Sequence, residues 1–238
     1  MMRINKYNKN DDFSYSLGAF PTLELLDKRP DLVVEVFIHE DYVDRDKLLY
    51  TCRARGLRAS INSKQVNRLS NKDNTWVVGV FKKFEDEIED KNHVVLHEIS
   101  DMGNLGTIIR TMNAFDMRDL VLVGQVCDVF NPRTVRASMG SIFDMRIKHF
   151  ETMDDYLKEY PEREVYLFML SKDEKDSIFH VKKEAGKYSL VFGNEGAGLP
   201  EDFSKYGKVV FIPQSDRVDS INLPIAASIG MYEFRRYV

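Results

Sequence analysis

The sequence predicts an α/β fold whose main sheet is mostly parallel and covered by helices on both faces. Short segments rich in Val, Ile and Leu alternate with helical segments through the second half of the chain. Those segments lack the apolar and polar alternation of strands that face water on one side. A smaller α/β module precedes them, set apart by the acidic run EDEIED at 85–90.

The first module spans residues 13–84 and follows a polar tail at 1–12. We predict a helix in SLGAFPTLELLDKRPD, a strand in VVEVFIH and a second helix in DRDKLLYTCRARG, with Asp44 as its N-cap and Gly56 at its end. A short helix in SKQVNRLS and a strand in TWVVGVFKK complete the module. Residues 85–92 are acidic without apolar periodicity, which predicts a linker.

The second domain spans residues 93–238 and continues the alternation. Predicted strands are VVLHEI, DLVLVG, MRIKHF, EVYLFML, YSLVFG and KVVFIP. Predicted helices are NLGTIIRTMNAF, a segment near VRASMGSIF, TMDDYLKEY and the closing LPIAASIGMYEFRRYV. In the last of these, Pro224 suits the first turn of a helix.

Composition narrows the class of protein. The chain has no apolar run of about eighteen residues, and its first residues are polar, so we expect no membrane span and a cytoplasmic location. Cys52 and Cys127 are isolated and the five histidines show no i, i+4 pair, so no disulfide framework and no metal site are expected.

Basic residues concentrate in one stretch although the formal net charge is −4. Between Arg45 and Lys72 there are eight basic residues and one acidic residue. Such segregation favours a surface that faces a polyanion, and a solvated helix face is the alternative. The candidates for contact with that polyanion are Arg53, Arg55, Arg58, Lys64 and Arg68.

Three segments place polar or glycine residues at the C-terminal ends of predicted buried strands, where open α/β sheets bind ligands. The first is SDMGNLGTIIRT, in which Leu105, Ile108, Ile109 and Met112 form the apolar stripe of a helix. Arg110 points off that stripe. It is therefore either presented to a ligand or an ordinary surface arginine.

The second segment is FGNEGAGLP and the third is IPQSDRVDSINLPIAASI. The second lacks the Lys and Ser or Thr of a phosphate loop, and its Glu195 would repel phosphate. In the third, Ser220 and Asn222 precede the last helix, where small polar residues usually cap the first turn.

Taken in order, NLGTIIRT, GNEGAGLP and IPQSDRVDSINLPIAAS resemble the three signature motifs of the SpoU/TrmH family of RNA ribose 2′-O-methyltransferases, part of the SPOUT superfamily. VRASMGSIF is similar to the stretch that the family carries between its first two motifs. The resemblance runs from about Val94 to the C-terminus. Less strongly, residues 13–84 resemble the ribosomal-protein-like RNA-binding module of many members.

The resemblance implies a SPOUT domain with a deep trefoil knot, a homodimer and S-adenosylmethionine as cofactor, bound largely by backbone groups. By motif, the cofactor contacts are Gly193, Ile212 and Ile221, joined by Asn194, Gly198 and Leu223. The glycines would let the backbone approach the adenosine closely. Two positions depart from the family pattern, because Ile221 replaces leucine and Pro224 stands where a small or hydroxylated residue is usual.

The resemblance also assigns catalytic positions, which are Arg110, Asn104, Glu195, Ser220 and Asn222. Arg110 is expected to activate the ribose hydroxyl or clamp a phosphate, and a literal base is the harder role for a guanidinium. Asn104 and Asn222 are expected to orient Arg110 or the ribose. Glu195 is expected to accept backbone amides or pair a cation, and a wholly structural role is equally open.

The predicted function is therefore S-adenosylmethionine-dependent methylation of a ribose 2′-hydroxyl in structured RNA, with rRNA favoured over tRNA because of the N-terminal module. The alternative is a catalytically inactive RNA-binding or assembly factor with the same fold. A Rossmann-type nucleotide enzyme is excluded, since no glycine fingerprint follows the first strand.

Overall fold

The structure is a computed structural model that describes residues 4–70, 75–171, 173–182 and 186–235. The chain forms two compact units. The first comprises Met1–Phe84 and Asp128–Asp144, and the second comprises Glu85–Cys127 and Met145–Val238. The division after Phe84 lies where the predicted module ends. Asp128–Asp144, which we place in the second domain from the sequence, groups with the first unit instead.

The described residues contain ten strands and seven α-helices. The strands are β1 (Phe13–Leu17), β2 (Val33–Ile38), β3 (Ala59–Ile61), β4 (Val77–Lys82), β5 (His93–His97), β6 (Asp119–Val123), β7 (Arg146–Phe150), β8 (Glu164–Phe168), β9 (Tyr188–Phe192) and β10 (Lys208–Val210). The helices are α1 (Ala19–Lys28), α2 (Arg45–Ala54), α3 (Ser63–Leu69), α4 (Met102–Ala114), α5 (Pro132–Ala137), α6 (Met153–Glu159) and α7 (Leu223–Arg235).

The first unit is built on a four-stranded sheet with the order β1-β4-β2-β3. Strands β2 and β3 are parallel, and β4 is antiparallel to both β1 and β2. Leu48 and Cys52 of α2 pack with Val36 of β2 on one face, and Val66 of α3 packs with Phe37 of β2 on the other. Helices α2 and α3 therefore cover opposite faces, because successive strand residues point in opposite directions.

The predicted helices and strands of this unit are confirmed, with two strands added. The sequence does not reveal β1 because Ser14 and Ser16 interrupt its apolar character, yet both serines are buried. Strand β3 has only three residues and is defined by its pairing with β2. Asp44 stands at the N-cap of α2, but its side chain makes no capping hydrogen bond. Lys72, counted in the basic stretch, lies outside the described residues.

Helix α5 belongs to the segment that joins the first unit after β6. The side chain of Asn131 caps it by accepting the amide of Arg133 at 3.0 Å. Phe143, in the turn that follows, packs edge to face on Phe81 of β4 with ring centroids 4.9 Å apart. Aromatic packing thus fixes this inserted segment in the first unit.

The second unit has a six-stranded sheet in the order β10-β8-β9-β5-β6-β7, and every neighbouring pair is parallel. This confirms the predicted α/β class and parallel sheet. Helices α4 and α7 lie together, with Ser228 Oγ 3.3 Å from Thr111 Oγ1. Gly230 allows α7 close to the sheet, since a Cβ there would lie under 3.0 Å from the ring of Phe168.

The acidic segment at 85–92 packs into the second unit, contrary to the expectation of a linker with little to bury. Ile88 is buried in the core beside β6 and β8. Glu89 pairs with Arg146 at 2.8 Å, and Asp90 pairs with Arg163 at 2.8 Å. These acidic residues pair with arginines that are distant in sequence. Periodicity within the segment therefore could not predict the pairs.

A buried polar network lies at the N-terminal end of β5 in the same sheet. His93 Nε2 donates to the Glu89 carbonyl at 2.7 Å, while His93 Nδ1 accepts from Tyr156 at 2.8 Å and Arg163 at 2.7 Å. Burial, with the charge of Arg163, lowers the pKa of His93 to about 4. The neutral imidazole is therefore the form built into the fold.

No helix in the described part of the chain is long and apolar enough to span a membrane.

Candidate functional site

The first two motifs meet because their strands are neighbours. Strands β5 and β9 run parallel, with Leu96 beside Phe192. The segments that follow them, 98–104 and 193–200, consequently emerge at the same edge of the sheet. This edge holds the residues that the motifs single out.

Glu195 joins the two segments through its carboxylate. One oxygen accepts the Ser100 amide at 3.1 Å and the Ser100 hydroxyl at 2.8 Å. The other accepts the Asp101 amide at 3.0 Å and the Asn104 side-chain amide at 3.2 Å. Although burial raises the pKa of Glu195, these hydrogen bonds outweigh it and lower the pKa to about 2. Glu195 is thus an anion surrounded by donors, as expected for accepting backbone amides.

The same contacts fix the start of helix α4. Asp101 Oδ1 accepts the Asn104 amide at 2.8 Å, which is a standard N-cap. With Glu195, two carboxylates lie at the positive end of the helix dipole. The start of the helix that carries Arg110 is therefore held by two carboxylates, that of Asp101 in its own segment and that of Glu195 in the loop after β9.

The loop after β9 is closed on itself. Asn194 and Gly198 exchange backbone hydrogen bonds of 3.1 and 3.0 Å, and the Asn194 side chain accepts the amides of Gly196 and Ala197 at 2.9 and 3.1 Å. A Cβ at Gly193 would lie under 3.0 Å from the backbone of Gly198 and Leu199. Glycine is required at 193 by the closure of the loop itself, in addition to any approach of the adenosine.

Glu98 adopts a conformation that is unusual for a residue with a side chain. Its φ is 52°, in the left-handed region. The peptide so turned presents the Glu98 carbonyl to Asn194 Nδ2, which donates to it at 2.8 Å. A residue held in this conformation at the C-terminal end of a parallel strand marks the edge as a candidate functional site.

Arg110 lies on the outer side of α4. Leu105, Ile108 and Ile109 of the same helix are fully buried, whereas Arg110 is exposed. Within the described residues, its side chain has no recorded hydrogen bond or ion pair. The guanidinium is accordingly open to a ligand.

Asn104 does not contact Arg110, which corrects one expectation. The two residues are six positions apart, about 120° around the helix and about 9 Å along it. Asn104 donates to Glu195 instead. Its observed role is to hold the motif loop, because the helix geometry separates it from the arginine.

The third motif supplies the start of α7. The Asn222 carbonyl accepts the amides of Ile225 and Ala226, each at 3.0 Å, and Leu223 is the first residue of the helix. Ser220 and Asn222 are exposed, while Ile212 and Ile221 are half-buried. The two bonds to the Asn222 carbonyl are the first backbone hydrogen bonds of the helix. Within the described residues, neither Ser220 nor Asn222 caps α7 through its side-chain oxygen, contrary to the expectation from the sequence. This motif is linked to the first through the packing of α7 on α4.

His97 is a polar residue at this edge that sequence reasoning missed. It ends β5 and packs edge to face on Phe203, with ring centroids 4.6 Å apart. Burial lowers the pKa of His97, and its Nδ1 is buried with no hydrogen-bond partner among the described residues. The signal available in the sequence was its position at the end of the strand VVLHEI.

The five RNA-binding candidates of the first unit divide between two surfaces. Arg53 and Arg55 lie at the end of α2, whereas Lys64 and Arg68 lie on α3, on the opposite face of the sheet. Two are engaged within the protein: Arg55 donates to the Leu26 carbonyl at 2.7 Å, and Arg68 donates to Asn5 at 2.9 Å. Arg58 is exposed just before β3. A single surface cannot include all five.

Comparison with known proteins identifies the family. The family model of the SpoU rRNA Methylase family matches residues 91–232. The chain belongs to this family. The resemblance of the three motifs is thereby confirmed, and the edge formed by β5, β9 and β10 is the part of this SpoU-family protein that carries them.

Two relatives similar to this chain are named as 23S rRNA 2′-O-methyltransferases. The 23S rRNA (guanosine(2553)-2'-O)-methyltransferase RlmP of Bacillus subtilis is 28% identical over 143 residues, covering 60% of this chain and 57% of that protein. The 23S rRNA (guanosine-2'-O-)-methyltransferase RlmB of Coxiella burnetii is 23% identical over 238 residues, covering 92% and 94%. The chain spans only about half the length of the first curated relatives that it matches, at 52% and 57%.

A solved structure has the same fold. The AdoMet-bound rRNA methyltransferase of Sinorhizobium meliloti superposes with a TM-score of 0.80 at 29% identity, covering 95% of this chain and 88% of that one. The similarity includes most of both units of this SpoU-family protein.

Proposed function

We propose that the protein transfers a methyl group from S-adenosylmethionine to a ribose 2′-hydroxyl of structured RNA. The observation that carries the proposal is the Glu195 contact, which ties the second motif to the start of α4 while Arg110 stays exposed on that helix. Family membership and the relatives' names supply the reaction. An inactive factor would not need an open arginine on a helix whose start is fixed by the second motif.

The residues at the sheet edge fit S-adenosylmethionine. The closed loop at 193–198 offers backbone groups, and Ile212, Ile221 and Leu223 are half-buried apolar side chains suited to cover a base. Glu98 and Glu195 bring negative charge, which suits a sulfonium and disfavours a phosphate. The bound cofactor would supply an activated methyl group. Asn194 and Gly198 would hold it through the loop that they close.

Arg110 would act on the RNA rather than on the cofactor. A guanidinium is a permanent cation, so it can stabilise a developing alkoxide or clamp the adjacent phosphate. Ser220 and Asn222, exposed beside the start of α7, would position the ribose. Asn104 and Glu195 would act as positioning residues, because their hydrogen bonds join the second motif to the start of α4.

The first unit would hold the RNA. Its basic residues would contribute phosphate contacts, which give affinity without sequence information. We favour rRNA over tRNA, because the relatives that match this chain include 23S rRNA methyltransferases. Action on rRNA is consistent with the predicted cytoplasmic location.

Two finer features of the family are also proposed. Helix α7 exposes Ile225, Ile229 and Tyr232 by 54%, 37% and 58%, a spacing of i, i+4 and i+7 that forms one apolar stripe. That stripe supports a homodimer. A trefoil knot is supported by the chain path, since α7 returns from edge strand β10 to pack on α4.

The experiment is methyl transfer with purified protein, total RNA and S-adenosylmethionine labelled in the methyl group. We expect label in alkali-resistant linkages, abolished by Arg110→Ala with cofactor binding retained. Arg118→Ala, which removes another exposed arginine of the same unit, is the control and should be fully active. Label in a base would overturn the ribose assignment, and RNA binding without any transfer would establish the inactive factor.

A further inference from the structure

Helix α2 of the first unit carries an aromatic side chain that folding does not explain. Tyr50 is 74% exposed, although it lies in the middle of a helix whose other face is packed. Leu48 and Cys52 are the buried residues of α2, and Tyr50 lies about 180° from their mean direction. The Tyr50 ring therefore lies in the middle of the solvent-exposed face of α2.

Two cations flank this ring on the helix surface. Lys47 precedes Tyr50 by three residues and Arg53 follows by three, spacings that make neighbours on a helix. Each cation lies about 4.5 Å along the axis from Tyr50, on either side of it. Both are exposed, and no hydrogen bond or ion pair of the three side chains is recorded within the described part of the chain.

The nearest acid does not cancel this charge. Asp46, one turn before Tyr50, is already paired with Arg45 at 3.7 Å. Ala54, one turn after, is small and leaves the ring face open. The Lys47–Tyr50–Arg53 ridge is thus an exposed aromatic between two available cations.

We propose that this ridge binds an unpaired nucleotide of the RNA substrate, with its base or ribose stacked on Tyr50 and the flanking phosphates on Lys47 and Arg53. The inference rests on the proposed function and specifies which face of the first unit meets RNA. Aromatic rings recognise bases that are free of a duplex, and the cations track the backbone on each side. A loop or bulge is accordingly the bound feature, in preference to a continuous duplex.

The opposite face lacks this arrangement. Trp76 is 37% exposed there and packs edge to face on His39, with centroids 5.1 Å apart. Arg68 of α3 is engaged with Asn5. On the α2 face, which α1 shares through Leu26, Phe20 is another exposed aromatic, but its neighbours at i+3 and i+4 are Leu23 and Glu24, which do not attract a phosphate.

The test is fluorescence anisotropy of the full-length protein with a labelled RNA hairpin and with the same sequence as a complete duplex. Tyr50→Ala should weaken hairpin binding by roughly 5- to 100-fold, as for loss of one base stack, while Tyr50→Phe retains it. Lys47→Gln and Arg53→Gln should each reduce the salt slope by about 0.7. Phe20→Ala and Lys82→Gln, which remove an exposed aromatic and an exposed lysine of the same unit, are the matched controls and should leave both quantities unchanged.

Several outcomes would overturn the inference. These are wild-type hairpin affinity in Tyr50→Ala, equal losses for hairpin and duplex, or loss of affinity in Lys82→Gln alone. A Tyr50→Ala change in sedimentation without RNA would show that the ridge meets protein. Methyl transfer by the wild type is measured separately, so failure of the proposed activity is distinguishable from failure of the ridge.

Discussion

The carboxylate of Glu195 accepts the backbone amide of Asp101 at 3.0 Å, across 94 residues of sequence. This bond joins the loop after β9 to the cap of α4. It explains why a glutamate stands within a glycine-rich loop at the C-terminal ends of the strands. The carboxylate stabilises the helix start, and its low pKa makes it a poor proton acceptor at neutral pH.

Replacing Glu195 should therefore damage structure and activity together. Glu195→Ala removes the acceptor of the Ser100 and Asp101 amides. Because both residues are exposed and water can replace the carboxylate, the loss of unfolding free energy should be on the order of 1 kcal/mol. Urea unfolding measures that loss, with Glu201→Ala, an exposed glutamate, as the control. Full stability with absent methyl transfer would instead identify Glu195 as a catalytic residue.

Gly193 and Gly196 should differ sharply although they share one loop. Gly193→Ala places a Cβ under 3.0 Å from the backbone of Gly198, while the nearest atom to a Cβ at Gly196 is Asn194 Oδ1 at 3.6 Å. We expect the first variant to lose S-adenosylmethionine binding and stability, and the second to retain both. Calorimetric binding and thermal unfolding measure this, and equal behaviour would contradict the observed loop closure.

Relief of strain at Glu98 should raise stability. Its φ of 52° costs a residue with a Cβ roughly 1 kcal/mol, and glycine adopts it freely. Glu98→Gly should consequently stabilise the protein by up to about 1 kcal/mol. Glu98→Ala keeps the strain and is the control. A Glu98→Gly variant less stable than Glu98→Ala would show that the strain account is wrong.

Acid should destabilise the second unit through His93. The pKa of His93 is about 4 when folded and 6.5 in the reference state, so the unfolded chain binds the proton first. The stability contributed by neutral His93 is intact above about pH 6.5 and is lost as the pH falls towards 4. The loss is on the order of 3 kcal/mol. Urea titrations at several pH values in this range measure how the free energy of unfolding changes with pH. That change should be smaller in His93→Gln, and an equal change in the variant would exclude His93 as the cause.

Local patterns in the sequence predicted the secondary structure of the second unit and most residues of its candidate site. Apolar runs predicted all six strands of its parallel sheet, since burial on both faces leaves a continuous apolar segment. The stripe of Leu105, Ile108 and Ile109 predicted which way Arg110 points. Motif order pointed to the family, which the comparison then confirmed.

Other features depended on residues distant in sequence. The acidic segment at 85–92 buries Ile88 and pairs with Arg146 and Arg163. Strands β1 and β3 form because they pair with β4 and β2. The grouping of Asp128–Asp144 with the first unit depends on aromatic packing such as Phe81 on Phe143. Each of these contacts joins residues that are far apart in sequence, so no local periodicity predicts it.

The sequence by itself determined the types of residue at the site and the strands that present them, because helix and strand periodicity are local properties of the chain. Only the tertiary structure decided their partners. The order β9-β5 brings Glu195 to Ser100 and Asp101 and gives the Asn104 side chain its partner. Those outcomes follow from strand pairing and close packing, which depend on the whole chain.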